Sequence, residues 1–293
     1  STMSALAMQH QAINLSQGFP DFAIDQELGM HVDKAIKDGY NQYAPMTGLL
    51  DLRKAISKKI EHFQSVQVNP DTEITITPGA TYAIYTAFAT ILNAGDEVIV
   101  LEPAYDSYIP NLQLLGAKPV PVVLSNSNFA VDWQKVKDAI TNKTKAIIFT
   151  NPHNPSGTIW SKNDFLVLES LVLKYDLYII ADEVYEHLVY DQQLHQSILS
   201  FPALRAKAFA TYSFGKVFHN TGWKMGYCVA PPTLMESFRM IHQFLAFSVH
   251  TPSQQALAWY LADLSHISKA AMLLEEKRNL FLKLIQDTKF KCL

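Results

Sequence analysis

Two lysines lie eight residues apart in the segment SFGKVFHNTGWKMGY (213–227), among glycines, aromatic side chains and small hydroxyl side chains. Lys216 stands beside valine and close to phenylalanine, so it tends to be buried. Burial lowers the pKa of an amine because the charged form loses its hydration. An amine with a lowered pKa can act as a nucleophile. The segment therefore predicts one reactive lysine, Lys216, and one lysine that stays charged, Lys224.

A candidate anion site comes earlier in the chain. Gly79, Ala80 and Thr81 stand between a predicted strand and a predicted helix, where free N–H groups and the helix dipole attract an anion. Taken alone, such residues are more often a simple helix cap. Ser213 adds a hydroxyl group and Lys224 a cation, so that together the five residues could hold a phosphate dianion. No GxxxxGK[ST] or GxGxxG motif follows a strand, which argues against a nucleoside triphosphate or a dinucleotide.

Asp182 follows the run 177–181, which is apolar enough to be buried in the centre of the sheet. A carboxylate at the end of a buried strand needs a cation or several hydrogen-bond donors as partners. Asp182 could be a helix N-cap. It could also face a ring nitrogen and keep it protonated, while Tyr185 and Asn154 donate to an oxygen of the same ring. Tyr105 would then cover one face of that ring. Taken singly, Asn154 is better explained as a turn residue before Pro155 and Tyr105 as a core aromatic.

These groups match the needs of one cofactor. Pyridoxal 5'-phosphate requires a phosphate cradle, an aromatic plate, a carboxylate for its ring nitrogen, donors to its ring oxygen and a lysine amine. The sequence therefore predicts a pyridoxal phosphate site in which Lys216 binds the aldehyde and later moves the substrate proton.

Alternating strand and helix patterns would position these residues. Short apolar runs separated by segments of helical period are typical of an α/β domain with a mostly parallel sheet. Ligands bind beyond the carboxyl ends of the strands in such sheets, which is where the candidate residues fall. We expect seven strands, at 73–77, 97–101, 118–123, 145–150, 177–181, 208–212 and 225–229. We expect flanking helices at 80–92, 107–115, 131–139, 162–174, 232–247 and 265–287.

The bulk composition excludes several classes of partner. The 293 residues carry a formal charge of −3 with no basic run, which predicts no nucleic acid and no anionic membrane surface as partner. No apolar run approaches the ~20 residues that cross a bilayer. Only two cysteines are present, Cys228 and Cys292, which argues against a disulfide framework or a cysteine-rich metal site and favours the cytoplasm.

The motifs together resemble the class I/II aminotransferases of fold type I, which depend on pyridoxal phosphate. The similarity is strongest to the branch of kynurenine aminotransferases (glutamine transaminase K) and methionine aminotransferases. The order and spacing of the motifs in this chain make the resemblance specific, although a single short motif such as NPSG would not be specific by itself. The motifs are NLSQGFPDF (14–22), YNQYAPMTG (40–48), TPGATYAIY (77–85), EPAYDSY (102–108), NPHNPSG (151–157), ADEVYEHL (181–188), SFGKVFHNTGWKMGY (213–227) and SVHTPSQQA (248–256).

The resemblance implies a role for each matching residue. Lys216 matches the lysine that carries the cofactor, and Asp182 matches the partner of the ring nitrogen. Tyr185 and Asn154 match the donors to the ring oxygen, and Tyr105 matches the stacked aromatic. The matching phosphate contacts are Ala80, Thr81, Ser213 and Lys224, the last standing where many relatives carry arginine.

Other matches imply a homodimer with shared sites. Tyr43 corresponds to a tyrosine that reaches the phosphate of the neighbouring subunit's cofactor. Gly18 lies in a segment that closes over the substrate carboxylate, and Val249 and His250 fall where relatives place pocket residues from the partner subunit.

The resemblance also predicts a division into domains. We expect an N-terminal arm at 1–32, a large cofactor-binding domain at 33–262, and at 263–293 an interdomain helix that begins an incomplete small domain. The chain opens on Ser1 and stops just after a helical pattern, so we expect both ends to be trimmed. None of its four arginines matches the one that binds the substrate carboxylate in the family.

The expected activity is transamination between a methionine-like, aromatic or glutamine-like amino acid and a 2-oxo acid. A carbon–sulfur β-lyase uses the same cofactor constellation and is an alternative. A non-catalytic, truncated relative that only binds the cofactor is another.

Overall fold

The computed structural model describes residues 2–18 and 23–290. Its helices of six or more residues are α1 (Thr2–Gln9), α2 (Gln26–Lys37), α3 (Leu50–Gln64), α4 (Ala80–Ile91), α5 (Tyr108–Leu114), α6 (Trp133–Asp138), α7 (Lys162–Tyr175), α10 (Pro232–Leu245), α11 (Thr251–Tyr260) and α12 (Ser265–Ile285); the short α8 (Pro202–Arg205) and α9 (Phe214–Val217) complete the series. The strands are β1 (Ile74–Thr77), β2 (Glu97–Glu102), β3 (Lys118–Val123), β4 (Thr144–Thr150), β5 (Tyr178–Asp182), β6 (Ala208–Ser213) and β7 (Gly226–Val229). No helix of the described ranges is long and apolar enough to cross a membrane.

The seven strands form one sheet in the order β1-β7-β6-β5-β4-β2-β3. All neighbouring pairs are parallel except those of β7, which runs antiparallel to both β1 and β6. The predicted mostly parallel, seven-stranded sheet is therefore confirmed. The antiparallel strand β7 follows β6 through the link 214–225, which turns the chain back at the edge of the sheet where β6 ends. This link carries both lysines of the 213–227 segment to the carboxyl edge of the sheet.

Alternation along the strands separates two apolar layers. Val98 and Val100 of β2 pack on one face, while Ile99 and Leu101 pack on the other. Helices α4, α5 and α10 cover the first face, and α3, α7 and α11 cover the second. With both faces covered, the central strands are mostly apolar, as parallel strands in α/β folds are.

The predicted strands and helices lie within two residues of the observed bounds. Among the described residues, six helices were not predicted: α1, α2, α3, α11 and the short α8 and α9. Helix α3 was missed although Leu52, Ile56 and Ile60 recur at helical spacing, whereas nearly all of α11 is buried, including Gln254 and Gln255. Helix α11 therefore lacks the separate apolar and polar faces on which sequence prediction depends.

Candidate active site

The turn between β1 and α4 forms one end of a cavity. Gly79 has a φ of +87°, which favours glycine, and a Cβ on it would lie 3.4 Å from Lys224 Nζ. The first N–H groups of α4 have no partner within the helix and point towards this end. Gly226 lets β7 pass close to the turn, since a Cβ there would lie 2.9 Å from the amide nitrogen of Ala80. Glycine at both positions thus brings backbone N–H groups and an ammonium group together.

The cavity has a volume of about 120 Å³ and lies at the carboxyl edge of the sheet. Nine predicted residues line it together, although they come from six separate stretches of the chain. They are Ala80, Thr81, Tyr105, Asn154, Asp182, Tyr185, Ser213, Lys216 and Lys224.

The carboxylate at the end of β5 is buried at the base of the cavity. Asp182 is only 3% exposed, and its contacts are a hydrogen bond from the Tyr108 hydroxyl group and one from the Val184 N–H at 3.3 Å. Burial raises the pKa of Asp182 to about 6, and the two hydrogen bonds oppose that rise. A protonated ring nitrogen placed beside Asp182 would supply the positive charge that this carboxylate lacks.

Tyr108 is a site residue that sequence analysis missed. It lies at the start of α5, 1% exposed, and its hydroxyl group donates to Asp182. Because that hydrogen is committed, the Thr150 hydroxyl group must donate to the Tyr108 oxygen, 2.6 Å away. The available signal was the spacing of Tyr105 and Tyr108, three residues apart at a helix start, whose rings meet edge to face at 5.7 Å.

Lys216 and Tyr185 face each other across the cavity. The Lys216 ammonium group lies 5.6 Å from the centre of the Tyr185 ring. Burial lowers the pKa of Lys216, nearby Asp182 opposes that shift, and Lys224 adds to it. Burial also raises the pKa of Tyr185 to about 12, so its hydroxyl group keeps its proton and can donate it in a hydrogen bond. The site therefore contains an amine that is more readily neutral than an exposed lysine, next to a hydroxyl donor.

Tyr105 and Asn154 lie on neighbouring loops that one histidine connects. His153 Nε2 donates to the Pro103 carbonyl group at 2.9 Å, and its Nδ1 lies 2.7 Å from the Ser156 hydroxyl group. Burial lowers the pKa of His153, which fits this neutral pattern of one donor and one acceptor. His153 thereby fixes the loop after β4, with Asn154, against the loop after β2, with Tyr105.

Four predicted residues do not line this cavity. Tyr43, Val249 and His250 line a separate surface concavity. Tyr43 is 82% exposed, and its ring packs edge to face on Phe247 at 5.4 Å. Gly18 is exposed and lines neither cavity. The remainder of its motif, 19–22, lies outside the described residues.

Each of the four arginines is bound elsewhere. Arg53 pairs with Asp71, Arg205 with Glu73, and Arg278 with Asp191. Arg239 donates to the Thr75 hydroxyl group and to the Ile74 carbonyl group. None of the four lines the cavity.

The donor set fits pyridoxal 5'-phosphate. One end of the cavity offers helix N–H groups, two hydroxyl groups and the Lys224 ammonium group, which suit a phosphate. The base offers a buried carboxylate that forms no ion pair with any of the described residues, and the walls offer a tyrosine ring and the Lys216 amine.

Comparison with known proteins agrees with this chemistry. Residues 10–293 match the model of the family "Aminotransferase class I and II". The chain is 44% identical over 292 residues to methionine aminotransferase of Escherichia coli K12, covering 99% of this chain and 76% of that protein. It is 35% identical to human kynurenine–oxoglutarate transaminase 3, covering 86% of this chain and 58% of that protein.

The fold is also that of a solved methionine aminotransferase from Escherichia coli, with a TM-score of 0.96 and 43% identity. The match covers 100% of this chain and 78% of the solved one. Fold type I aminotransferases thus share this architecture. The chain accordingly belongs to aminotransferase class I and II, a family whose members use pyridoxal phosphate.

Proposed function

We propose that the protein transfers the amino group of a methionine-like, aromatic or glutamine-like amino acid to a 2-oxo acid. One observation carries this proposal: Lys216, Asp182 and Tyr185 meet around a single cavity that ends in a phosphate cradle. Its relatives support the substrate class, since they include a methionine aminotransferase and a kynurenine–oxoglutarate transaminase.

The cavity residues would each hold one part of the cofactor. The N–H groups at Ala80 and Thr81, the hydroxyl group of Ser213 and the ammonium group of Lys224 bind the phosphate. Asp182 binds the ring nitrogen, the hydroxyl group of Tyr185 and the amide of Asn154 bind the ring oxygen, and Tyr105 covers one face of the ring. When bound, the cofactor supplies an aldehyde carbon and an electron-accepting pyridinium ring.

Lys216 performs the proton transfer. Its amine would hold the cofactor at the aldehyde carbon. With a substrate bound, the same Nζ would take the proton from the substrate α-carbon, for which it must be neutral. The partly buried position of Lys216 lowers its pKa in the required direction. Asp182 stays ionised beside the ring nitrogen and so keeps that nitrogen protonated.

We also propose a homodimer with shared sites, located in the cytoplasm. Tyr43, Val249 and His250 line a concavity of their own. The high exposure of Tyr43 suits a side chain that completes the site of a second copy. The division at residues 32 and 262 into arm, large domain and interdomain helix belongs to the same proposal.

A Lys216→Ala substitution tests the function. The protein loaded with pyridoxal phosphate should absorb in the near-visible, and borohydride should trap the cofactor on Lys216. The variant should lose both properties and essentially all transamination, and retention of the trapped adduct would refute the assignment. Release of pyruvate from a sulfur-containing amino acid without a 2-oxo acid acceptor would instead identify a β-lyase.

A further inference from the structure

A group of charged and phenolic side chains lies in the core directly behind the loop that carries Asp182 and Tyr185. Lys59 of α3 is 3% exposed, Glu183 is 0% exposed and Glu186 is 6% exposed. We call these three residues, with Tyr212 and Tyr227, the buried cluster. None of the five lines the cofactor cavity.

Glu186 directly follows Tyr185 and is held from several sides. Its carboxylate pairs with the Lys59 ammonium group, and its second oxygen accepts a hydrogen bond from Gln64 at 2.9 Å. His187 also approaches Glu186, at 3.5 Å, but burial lowers the pKa of His187 well below its ordinary value. His187 is therefore neutral. Burial lowers the pKa of Lys59 as well, but the ion pair with Glu186 opposes that shift, so Lys59 is the cation beside Glu186.

The same lysine contacts the two strands on the other side of the site. Its Nζ donates to the Tyr227 oxygen at 2.7 Å and lies 5.3 Å and 5.4 Å from the ring centres of Tyr212 and Tyr227. These rings stack at 4.7 Å, and the Tyr212 hydroxyl group donates to Glu183 at 2.9 Å. Tyr212 directly precedes Ser213 in β6, so the cluster joins the Tyr185 loop to the strand that leads to Ser213 and Lys216.

Stability alone is a weak reason for this arrangement. Replacing a buried ion pair by apolar residues of similar volume is often neutral or stabilising, because two charges no longer have to leave water. Directional contacts do provide a fixed geometry, which a catalytic constellation requires.

We propose that Lys59 is a positioning residue, which through Glu186 and the Tyr212–Tyr227 stack fixes Tyr185 relative to Ser213 and Lys216. This inference rests on the proposed function, since these three residues matter as cofactor contacts. Lys59 does not touch the cofactor site; it acts through the backbone on either side of it.

The test compares an apolar pair with the ionic one. The double variant Lys59→Met/Glu186→Leu removes both charges without leaving either unpaired, and Lys58→Met removes an exposed charge from the same helix as a control. For each protein loaded with pyridoxal phosphate we would measure the melting temperature, the pH midpoint of the near-visible absorbance and the cofactor dissociation constant.

The double variant should melt close to the wild type, yet its absorbance midpoint should shift by about half a pH unit and its cofactor affinity should fall about tenfold. The control should match the wild type in all three measurements. A double variant with the wild-type midpoint and affinity would overturn the proposal, since a structural role predicts a change in melting temperature only.

A milder substitution provides a second test if the double variant does not fold. Tyr227→Phe keeps the stacked ring but removes the hydroxyl group that binds Lys59, so its midpoint should shift in the same direction by less. An unchanged midpoint in Tyr227→Phe would also overturn the proposal. Failure of the proposed function would look different, because the wild type itself would then show no near-visible absorbance.

Discussion

The loop 182–186 separates two groups of charges that are partnered very differently. Within the buried cluster, Lys59 pairs with Glu186, and Glu183 accepts hydrogen bonds from Ser197, from the Ile198 N–H and from Tyr212. In the cavity, Asp182 has one hydroxyl and one amide donor, and the ion pairs of the described residues include neither Lys216 nor Lys224.

The difference separates the groups that position the site from the groups that perform the chemistry. A buried carboxylate without a cation costs free energy in the folded chain, and such a cost is tolerated where a ligand will offset it. The cofactor would bring a pyridinium to Asp182 and a phosphate to Lys224. Substitutions in the cavity should therefore reduce function while preserving or raising the stability of the cofactor-free protein, whereas removing only one partner of the buried ion pair should reduce stability, because the other charge is then left unpaired.

Asp182→Asn should have the largest effect of the substitutions that keep Lys216. Without the carboxylate the ring nitrogen loses its proton, so that proton removal from the substrate α-carbon should slow by about three orders of magnitude. Single-turnover kinetics with an amino acid substrate would measure this. Asp182→Glu, which keeps the charge, is the matched control and should retain more activity; normal turnover in Asp182→Asn would make Asp182 a structural residue.

The same substitution should stabilise the cofactor-free protein at alkaline pH. The pKa of Asp182 is raised from 3.8 to about 6, so its contribution to stability is fully present below the lower value and is lost as the pH rises through the higher one. The amide that replaces the carboxyl group does not ionise, so the variant should gain up to about 3 kcal/mol over the wild type at pH 8 and nothing near pH 4. Urea unfolding at both pH values checks this. If Asp182→Asn were less stable than the wild type at pH 8, Asp182 would stabilise the fold, and the contrast drawn between the cavity and the buried cluster would be wrong.

Tyr108→Phe should have an intermediate effect. It removes the hydroxyl group that holds down the pKa of Asp182, so that pKa should rise by about one pH unit above its value of about 6. More Asp182 would then be protonated at neutral pH, and cofactor affinity should fall there but recover as the pH is raised. A pH series of the dissociation constant measures the midpoint.

Thr150→Val is the control for this substitution. Thr150 donates to the Tyr108 oxygen and acts on Asp182 through that tyrosine, so its effect should have the same sign and be smaller. A larger shift in Thr150→Val than in Tyr108→Phe would show that the order of the contacts, Thr150 to Tyr108 to Asp182, is wrong.

The sequence predicted the residues of the cavity better than those that support them. Gly79, Asp182 and Lys216 each end a strand pattern, and all parallel strands end at the same edge, so a local pattern places them together. Tyr108 also lies near the end of a strand pattern, three residues after Tyr105, but from the sequence it is indistinguishable from an ordinary core aromatic. Its role depends on Asp182, which lies 74 residues away in the chain.

The buried cluster could not be predicted for a related reason. Lys59 and Glu186 are 127 residues apart, and each stands in a helical or loop segment where a charged residue is normally solvated. Only the packing of α3 against the second face of the sheet brings them together.

Lys224→Gln should have the smallest effect, and it tests whether this lysine serves only as a counter-ion. Lys224 reaches the phosphate end of the cavity, where Gly79 leaves room for it, and a phosphate there would also be bound by N–H and hydroxyl groups. Loss of one of several phosphate contacts should weaken cofactor affinity about tenfold and leave the turnover of the loaded enzyme nearly unchanged. Lys224→Arg should restore the affinity, because arginine keeps the charge and adds a bidentate fork. A fall in turnover at saturating cofactor would instead assign Lys224 to the chemistry beside Lys216. Lys224 would then not serve only as a counter-ion to the phosphate.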